Sequence, residues 1–113
     1  MIKIYHNPRC RKSREGLALL DSKNVEFEVV KYLENPIGFD ELKDIIDLLG
    51  ISPIELIRKT EKIWKENFKG KDLSDSEIIK AMVDYPKLIE RPIVVSKNKA
   101  VIGRPSENIN HLV

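Results

Sequence analysis

Hydrophobic and polar positions at the start of the chain predict a strand, a helix and a second strand. Residues 1–5 form a short run rich in Ile and Tyr that stops at Asn7-Pro8, which is typical of a buried strand. Residues 11–22 are mainly helix formers with leucines on one side. Residues 25–30 alternate between apolar and acidic side chains, as a strand does. We therefore expect a βαβ unit of about 30 residues.

The middle of the chain predicts helices. Apolar residues recur every three or four positions over residues 39–49, and Gly50 follows where a helix C-terminus belongs. Capping boxes at Ser52 and Ser74 predict that two further helices start there. Residues 62–71 are dense in lysine and weak in pattern, so we expect irregular or mobile structure there.

Near the C-terminus the pattern returns to strands. Residues 93–95 and 100–102 are short apolar runs on either side of a Lys-Asn-Lys turn, which predicts a β-hairpin. Pro105 favours the start of a short last helix. The order βαβ, helices, ββα is the layout of an α/β, thioredoxin-like fold. We expect one domain over residues 1–113, with a helical insertion at about 39–86.

Composition excludes several classes of protein. Of 113 residues, 42% are hydrophobic and 34% charged, which excludes disordered and collagen-like chains. The 20 basic and 18 acidic residues are interspersed, so charge gives no reason to expect nucleic acid or a membrane surface as a partner. The first residues do not resemble a signal peptide, and no apolar run approaches the ~18 residues of a membrane span. We expect a cytoplasmic protein.

The lone cysteine, Cys10, is the main candidate for chemistry. One cysteine cannot close an intramolecular disulfide, which excludes a disulfide-stapled scaffold. Cys10 falls at the start of the first predicted helix, where unpaired N–H groups and the helix dipole stabilise an anion, and basic residues flank it. We therefore expect a reactive thiolate, because the flanking residues form no apolar pocket for an inert cysteine. His6, at the end of the strand, could reach or orient the thiol.

Three isolated arginines are candidates for binding an oxyanion. Arg91 precedes Pro92 just before a strand, a natural place for a cis peptide bond that would turn Arg91 toward the first loop. Arg104, just before Pro105 at the end of the hairpin, is the second isolated arginine in an otherwise apolar stretch. Arg58 falls near the end of the helix predicted to start after Ser52, and taken alone it is better interpreted as a solvated charge. Guanidinium groups converging on one thiolate would form an oxyanion pocket. No cluster has metal-ligand spacing and no glycine-rich phosphate loop is present, so we expect no metal site.

Five segments of the sequence together resemble the ArsC family, the glutaredoxin-coupled arsenate reductases and their relatives. They follow the family's order along essentially the whole chain: Tyr5-His6-Asn7-Pro8-Arg9-Cys10-Arg11-Lys12-Ser13, Tyr32-Leu33-Glu34-Asn35-Pro36, Leu56-Ile57-Arg58-Lys59, Arg91-Pro92-Ile93-Val94-Val95 and Gly103-Arg104-Pro105-Ser106-Glu107. The resemblance implies a thioredoxin-like domain with a helical insertion that reduces arsenate to arsenite.

The resemblance also implies roles for single residues. The thiolate of Cys10 would attack arsenate held by three arginines, and His6 matches the histidine that helps to keep the cysteine ionised. Glutathione, the co-substrate, would leave a mixed disulfide that glutaredoxin reduces; an external thiol is needed because no second cysteine is present. We expect a monomer with no tightly bound cofactor. The predicted substrate-binding residues are Ser13, Arg58, Arg91 and Arg104.

Two other functions fit the same residues. One is a glutathione-dependent thiol reductase of the same fold, in which Arg11 and Lys12 bind the carboxylates of glutathione. These two cations stand where well-studied arsenate reductases carry small residues. The other is an Spx-like regulator that contacts RNA polymerase through a Cys-x-x-Cys redox switch. The second cysteine of that switch is replaced here by Ser13, which disfavours the regulator.

Overall fold

A four-stranded sheet forms the frame of the part of the chain that contains Cys10. The computed structural model describes residues 2–113, which separate into two compact units. The first unit combines the residues up to Asn35 with Arg91–Val113, and the second is Pro36–Glu90. The predicted insertion at 39–86 lies within the second unit.

The sheet of the first unit has the strand order β2-β1-β3-β4. β1 pairs in parallel with β2 and antiparallel with β3, and β3 and β4 form an antiparallel hairpin. The predicted βαβ unit, the hairpin and the α/β fold class are therefore confirmed, although β2 starts two residues later than predicted. The elements are β1 (Ile2–Tyr5), α1 (Arg11–Ser22), β2 (Phe27–Val30), β3 (Ile93–Val95) and β4 (Ala100–Ile102).

The core of this unit lies between the sheet and α1. Its centre consists of four side chains with no exposed surface: Ile4, Leu20, Val94 and Ile109. Ile109 belongs to the segment Ser106–His111, where we predict a short helix. This segment is a 3₁₀ helix. The Asn108 side chain donates hydrogen bonds to the carbonyls of Ile102 and Arg104 and so holds the segment to the end of β4.

The second unit is helical, as predicted. α2 ends at Gly50, whose left-handed φ of 69° suits glycine, and the capping box at Ser74 starts α4. Within residues 2–113 no helix is both long and apolar enough to cross a membrane. The helices are α2 (Phe39–Leu49), α3 (Lys62–Asn67) and α4 (Asp75–Asp84), with 3₁₀ turns at Pro53–Leu56 and Pro86–Leu88.

Two predictions for the second unit need correction. The capping box at Ser52 is present, since its N–H donates to the Glu55 carboxylate at 2.7 Å, but it starts only a 3₁₀ turn. The chain becomes extended at Ile57, which forms a β-bridge with Ile89. This long-range pairing ends the helix, so Arg58 lies beyond the helix and not within it.

The prediction of irregular structure over residues 62–71 is wrong in its first half. Lys62–Asn67 form α3, and Trp64 is buried with its ring stacked on Phe68 at a centroid distance of 5.6 Å. One buried tryptophan and its aromatic neighbour thus hold a helix that is too short to show clear periodicity.

Candidate active site

The loop that connects β1 to α1 is a hydrogen-bonded turn ending at Cys10. The Cys10 N–H donates to the Asn7 carbonyl at 3.0 Å, and the Arg9 N–H donates to Asn7 Oδ1 at 3.0 Å. Pro8 occupies the second position of this turn, where its fixed φ is favourable. Cys10 is the N-cap of α1, and its carbonyl accepts the N–H of Arg14 at 3.0 Å. The motif therefore fixes the thiol at the positive end of the helix dipole.

Ser13 holds this loop against the first turn of α1. Its side chain is fully buried, and its hydroxyl accepts the Asn7 N–H at 3.0 Å. The same hydroxyl lies 2.6 Å from Nδ1 of His6. The Arg14 guanidinium adds a hydrogen bond to the Pro8 carbonyl at 3.0 Å. The loop thus has side-chain supports on both sides of Cys10.

His6 forms a hydrogen bond with the Ser13 hydroxyl. Burial lowers the pKa of His6 below its ordinary value, the charge of Lys31 lowers it further, and the hydrogen bond at Ser13 opposes these effects in part. The ring is therefore neutral near pH 7, and we assign Nδ1 as the acceptor of the Ser13 O–H. The role of His6 as a catalytic group stays a prediction, because its described contact is with Ser13.

The environment of Cys10 favours the thiolate. Partial burial alone would raise the pKa of Cys10, but a hydrogen bond from the Arg91 side chain lowers it, as do the backbone N–H groups of Ser13 and Lys12. The net effect is a pKa below that of an ordinary thiol. Cys10 is partly exposed and forms no disulfide. Its sulfur is therefore accessible, and the lowered pKa favours the nucleophilic thiolate.

Arg91 is positioned by the start of β3. The Arg91–Pro92 peptide bond is cis, as predicted. The Arg104–Pro105 bond is also cis, which the sequence analysis did not predict. The Arg91 guanidinium donates a hydrogen bond to the Cys10 thiolate, but its buried Nε has no hydrogen-bond partner within residues 2–113. A buried donor of this kind stabilises the protein or a ligand only when an acceptor reaches it.

Comparisons with known proteins agree with this arrangement. The sequence profile of the ArsC family matches residues 5–112. The chain belongs to the ArsC family. It is 53% identical to uncharacterized protein YfgD of Escherichia coli K12, over 99% of this chain and 96% of that protein.

Two further relatives carry an enzyme name. An arsenate reductase of Neisseria meningitidis is 44% identical over 96% of this chain and 94% of its own length. The solved structure of an arsenate reductase from Vibrio cholerae is 43% identical, with a TM-score of 0.94 over 99% of this chain and 97% of that one. The likeness thus covers the whole of this ArsC chain, including its helical unit.

The other two predicted arginines differ in their surroundings. Arg104 is half-buried in the turn after β4. Arg58 lies in the second unit, where its guanidinium contacts the carboxylates of Glu61 and Glu90, each at 3.1 Å. Two carboxylates balance the charge of Arg58, and the arsenate-binding roles of both arginines stay predictions.

The cations around the ArsC cysteine are not equivalent. Arg11 and Lys12 are exposed and both pair with Glu15, at 3.2 and 3.9 Å. Lys31, which the sequence analysis did not single out, lies near enough to His6 to lower its pKa. A signal for Lys31 was available: it follows β2, and the carboxyl ends of the parallel strands β1 and β2 meet at one edge of the sheet.

Proposed function

We propose that this ArsC protein reduces arsenate to arsenite, with Cys10 as the nucleophile. The observation that carries the proposal is the Cys10 thiol at the start of α1, whose pKa is lowered by the Arg91 guanidinium and by backbone N–H groups. The names of relatives at 43–44% identity support the same reaction.

In the first step the Cys10 thiolate attacks arsenic(V). A sulfur–arsenic bond forms, an arsenic–oxygen bond breaks, and the oxygen leaves as water after taking up a proton. Arg91 is suited to bind an arsenate oxygen, because its buried Nε is a donor without a partner in the described chain. Arg104, in the same unit, would supply a second positive charge.

In the second step glutathione attacks the sulfur of Cys10. A disulfide forms between the two sulfurs, the sulfur–arsenic bond breaks, and its electron pair remains on arsenic, which becomes arsenic(III). Glutaredoxin then reduces the mixed disulfide. The sequence supports this external route because Cys10 is its only cysteine.

The test is arsenate-dependent NADPH oxidation in the presence of glutathione, glutaredoxin and glutathione reductase. We expect turnover with the wild type and none with a folded Cys10→Ser variant. Turnover that survives in Cys10→Ser, or a wild type that is folded and inactive, contradicts the proposal. Arg91→Ala should raise the KM for arsenate, whereas Lys65→Ala, which changes an exposed cation in the second unit, should not.

A second candidate is a glutathione-dependent thiol reductase that uses the same thiolate. It is favoured by Arg58, whose charge is already balanced by Glu61 and Glu90 and is therefore less available to an oxyanion. The two functions are separated by offering a glutathione mixed disulfide in place of arsenate. Turnover of the disulfide alone would favour the thiol reductase.

A further inference from the structure

A groove lies beside the Cys10 loop in the first unit. It has a volume of about 470 Å³. One wall is the turn that ends at Cys10, and the other is the turn after β2, in which the N–H groups of Glu34 and Asn35 donate to the Lys31 carbonyl at 3.0 and 2.9 Å. Both walls are thus held by backbone hydrogen bonds. The lining residues are Asn7, Pro8, Arg9, Lys31, Leu33 and Glu34.

Within residues 2–113 the charged side chains of this groove form no ion pairs. Among the residues that the structure describes, Arg9 and Lys31 form no ion pair with a carboxylate, and Glu34 forms none with a cation. Arg11 and Lys12, by contrast, share Glu15. The groove therefore offers two available positive charges and one available negative charge.

A ligand that matches these charges carries two carboxylates and one ammonium group. The thiol of the proposed reaction, glutathione, has this set: the carboxylates of its glycine and glutamate residues and the ammonium of the glutamate. Pro8 and Leu33 add apolar surface to the lining, which suits the body of a short peptide.

We propose that this groove binds glutathione while its sulfur reacts at Cys10. Arg9 and Lys31 bind the carboxylates, and Glu34 binds the ammonium group. The inference rests on the proposed function in that it takes glutathione as the reductant. It replaces Arg11 and Lys12 as the expected carboxylate ligands, because both already pair with Glu15.

The test uses disulfide exchange, which needs no arsenate. The Cys10 thiolate attacks one sulfur of oxidised glutathione, the disulfide bond breaks, one glutathione thiolate leaves, and a Cys10–glutathione disulfide forms. The rate is compared with that for 2-hydroxyethyl disulfide, which reacts in the same way but carries no charge. The ratio of the two rates cancels changes in the nucleophilicity of Cys10.

We expect the wild type to prefer oxidised glutathione, and Arg9→Gln or Lys31→Gln each to lower the ratio by about threefold, as for an exposed ion pair. Glu34→Gln should lower it less, because the lost attraction to the ammonium group is partly offset by weaker repulsion of the two carboxylates. Arg11→Gln and Lys12→Gln are the matched controls and should leave the ratio within about 1.5-fold of the wild type. Added salt should reduce the wild-type preference toward that of Lys31→Gln.

Equal ratios in all variants, or a wild type without preference for oxidised glutathione, would overturn the proposal. A larger loss in Arg11→Gln and Lys12→Gln would overturn it in favour of the helix cations. The arsenate assay reports on the proposed function separately. If the rate ratio falls only in Arg9→Gln and Lys31→Gln and no arsenate turnover is seen, the groove proposal is supported and arsenate reduction is contradicted. If arsenate is turned over but the KM for glutathione is unchanged in both variants, arsenate reduction is supported and the groove proposal is contradicted.

Discussion

The ring of Pro92 packs directly against the backbone of Gly16 in α1. A Cβ at Gly16 would lie 2.7 Å from Pro92 Cγ, a distance closer than real Cβ contacts allow. Gly103 also approaches this ring, since a Cβ there would lie 3.0 Å from the same atom. Because Cys10 starts α1 and Arg91 directly precedes Pro92, this close contact sets the position of the arginine relative to the thiol.

Gly16→Ala should therefore destabilise the protein. Alanine in a helix gains about 1 kcal/mol over glycine, but overpacking a core contact costs about 1–3 kcal/mol, and here the contact is with a rigid ring. We expect a net loss of about 1 kcal/mol in urea unfolding, together with a higher Cys10 pKa as Arg91 is displaced.

The control for Gly16→Ala is Ala18→Gly, at an exposed position of the same helix. It measures the intrinsic helix term and should cost about 1 kcal/mol. A Gly16→Ala protein that gains the amount lost by Ala18→Gly would mean that α1 and Pro92 can separate without penalty.

Arg91→Ala should make Cys10 a weaker nucleophile near neutral pH. The Arg91 side chain is the main group that lowers the pKa of this thiol, so its removal moves the pKa upward. The pH profile of alkylation by iodoacetamide, which is uncharged, should shift to higher pH, with alkylation at pH 7 slower by about threefold to tenfold.

Arg91→Lys separates charge from hydrogen bonding and should give an intermediate profile, because a lysine keeps the charge and loses the planar fork. Identical profiles for the wild type and Arg91→Ala would assign the low pKa to the helix N–H groups alone.

Much of the fold was predictable because its signals are local. The Asn7-Pro8 stop placed Cys10 at the start of α1, and Gly50 and Ser74 marked a helix end and a helix start. One failure was local: α3 is too short to show clear periodicity. The other came from a long-range contact. Ile57 leaves its helix to pair with Ile89, far along the chain, and no local pattern encodes that bridge.

The site divides in the same way. The turn at Cys10 follows from neighbouring residues, and the cis bond before Pro92 is a local possibility that the sequence made plain. The predicted βαβ unit indicates that Lys31 and His6 follow strands that end at the same sheet edge. Their separation also depends on the register of Tyr5 with Val30, which only the assembled sheet defines. The ion pairs of Arg58 were not predictable, because Glu90 approaches it only through tertiary structure.

Arg58→Ala should destabilise the second unit more than an ordinary surface substitution does. The Arg58 side chain is 17% exposed and joins two partly buried carboxylates, so its loss removes a positive charge that both of them contact. We expect a loss of about 1–2 kcal/mol in thermal or urea unfolding.

The matched control is Lys62→Ala, which removes a lysine that is 84% exposed and paired with Glu66. It should change stability by less than about 0.5 kcal/mol. Equal effects of Arg58→Ala and Lys62→Ala would show that Arg58 is not a structural ion-pair centre, and its charge would then be available to an anion.

Ser13→Ala should loosen the Cys10 loop. The change leaves the Asn7 N–H and His6 Nδ1 without their hydroxyl partner inside the protein, at a cost of about 1–3 kcal/mol. Urea unfolding measures the loss. Ser22→Ala, at an exposed serine of the same helix, should cost less than about 0.5 kcal/mol. A neutral Ser13→Ala would mean that water replaces the hydroxyl.

His6 should make stability depend on pH. Because burial and the Lys31 charge lower the pKa of His6 in the folded protein, the unfolded chain binds the proton more readily. The His6 contribution should be complete above the unfolded value of ~6.5 and should be lost as the pH falls from there toward the folded pKa. His6→Asn keeps an acceptor near the position of Nδ1 but cannot titrate. Between pH 7.5 and pH 5 the wild type should therefore lose more unfolding free energy than His6→Asn does. An equal loss in the wild type and the variant would mean that His6 is not buried in its neutral form.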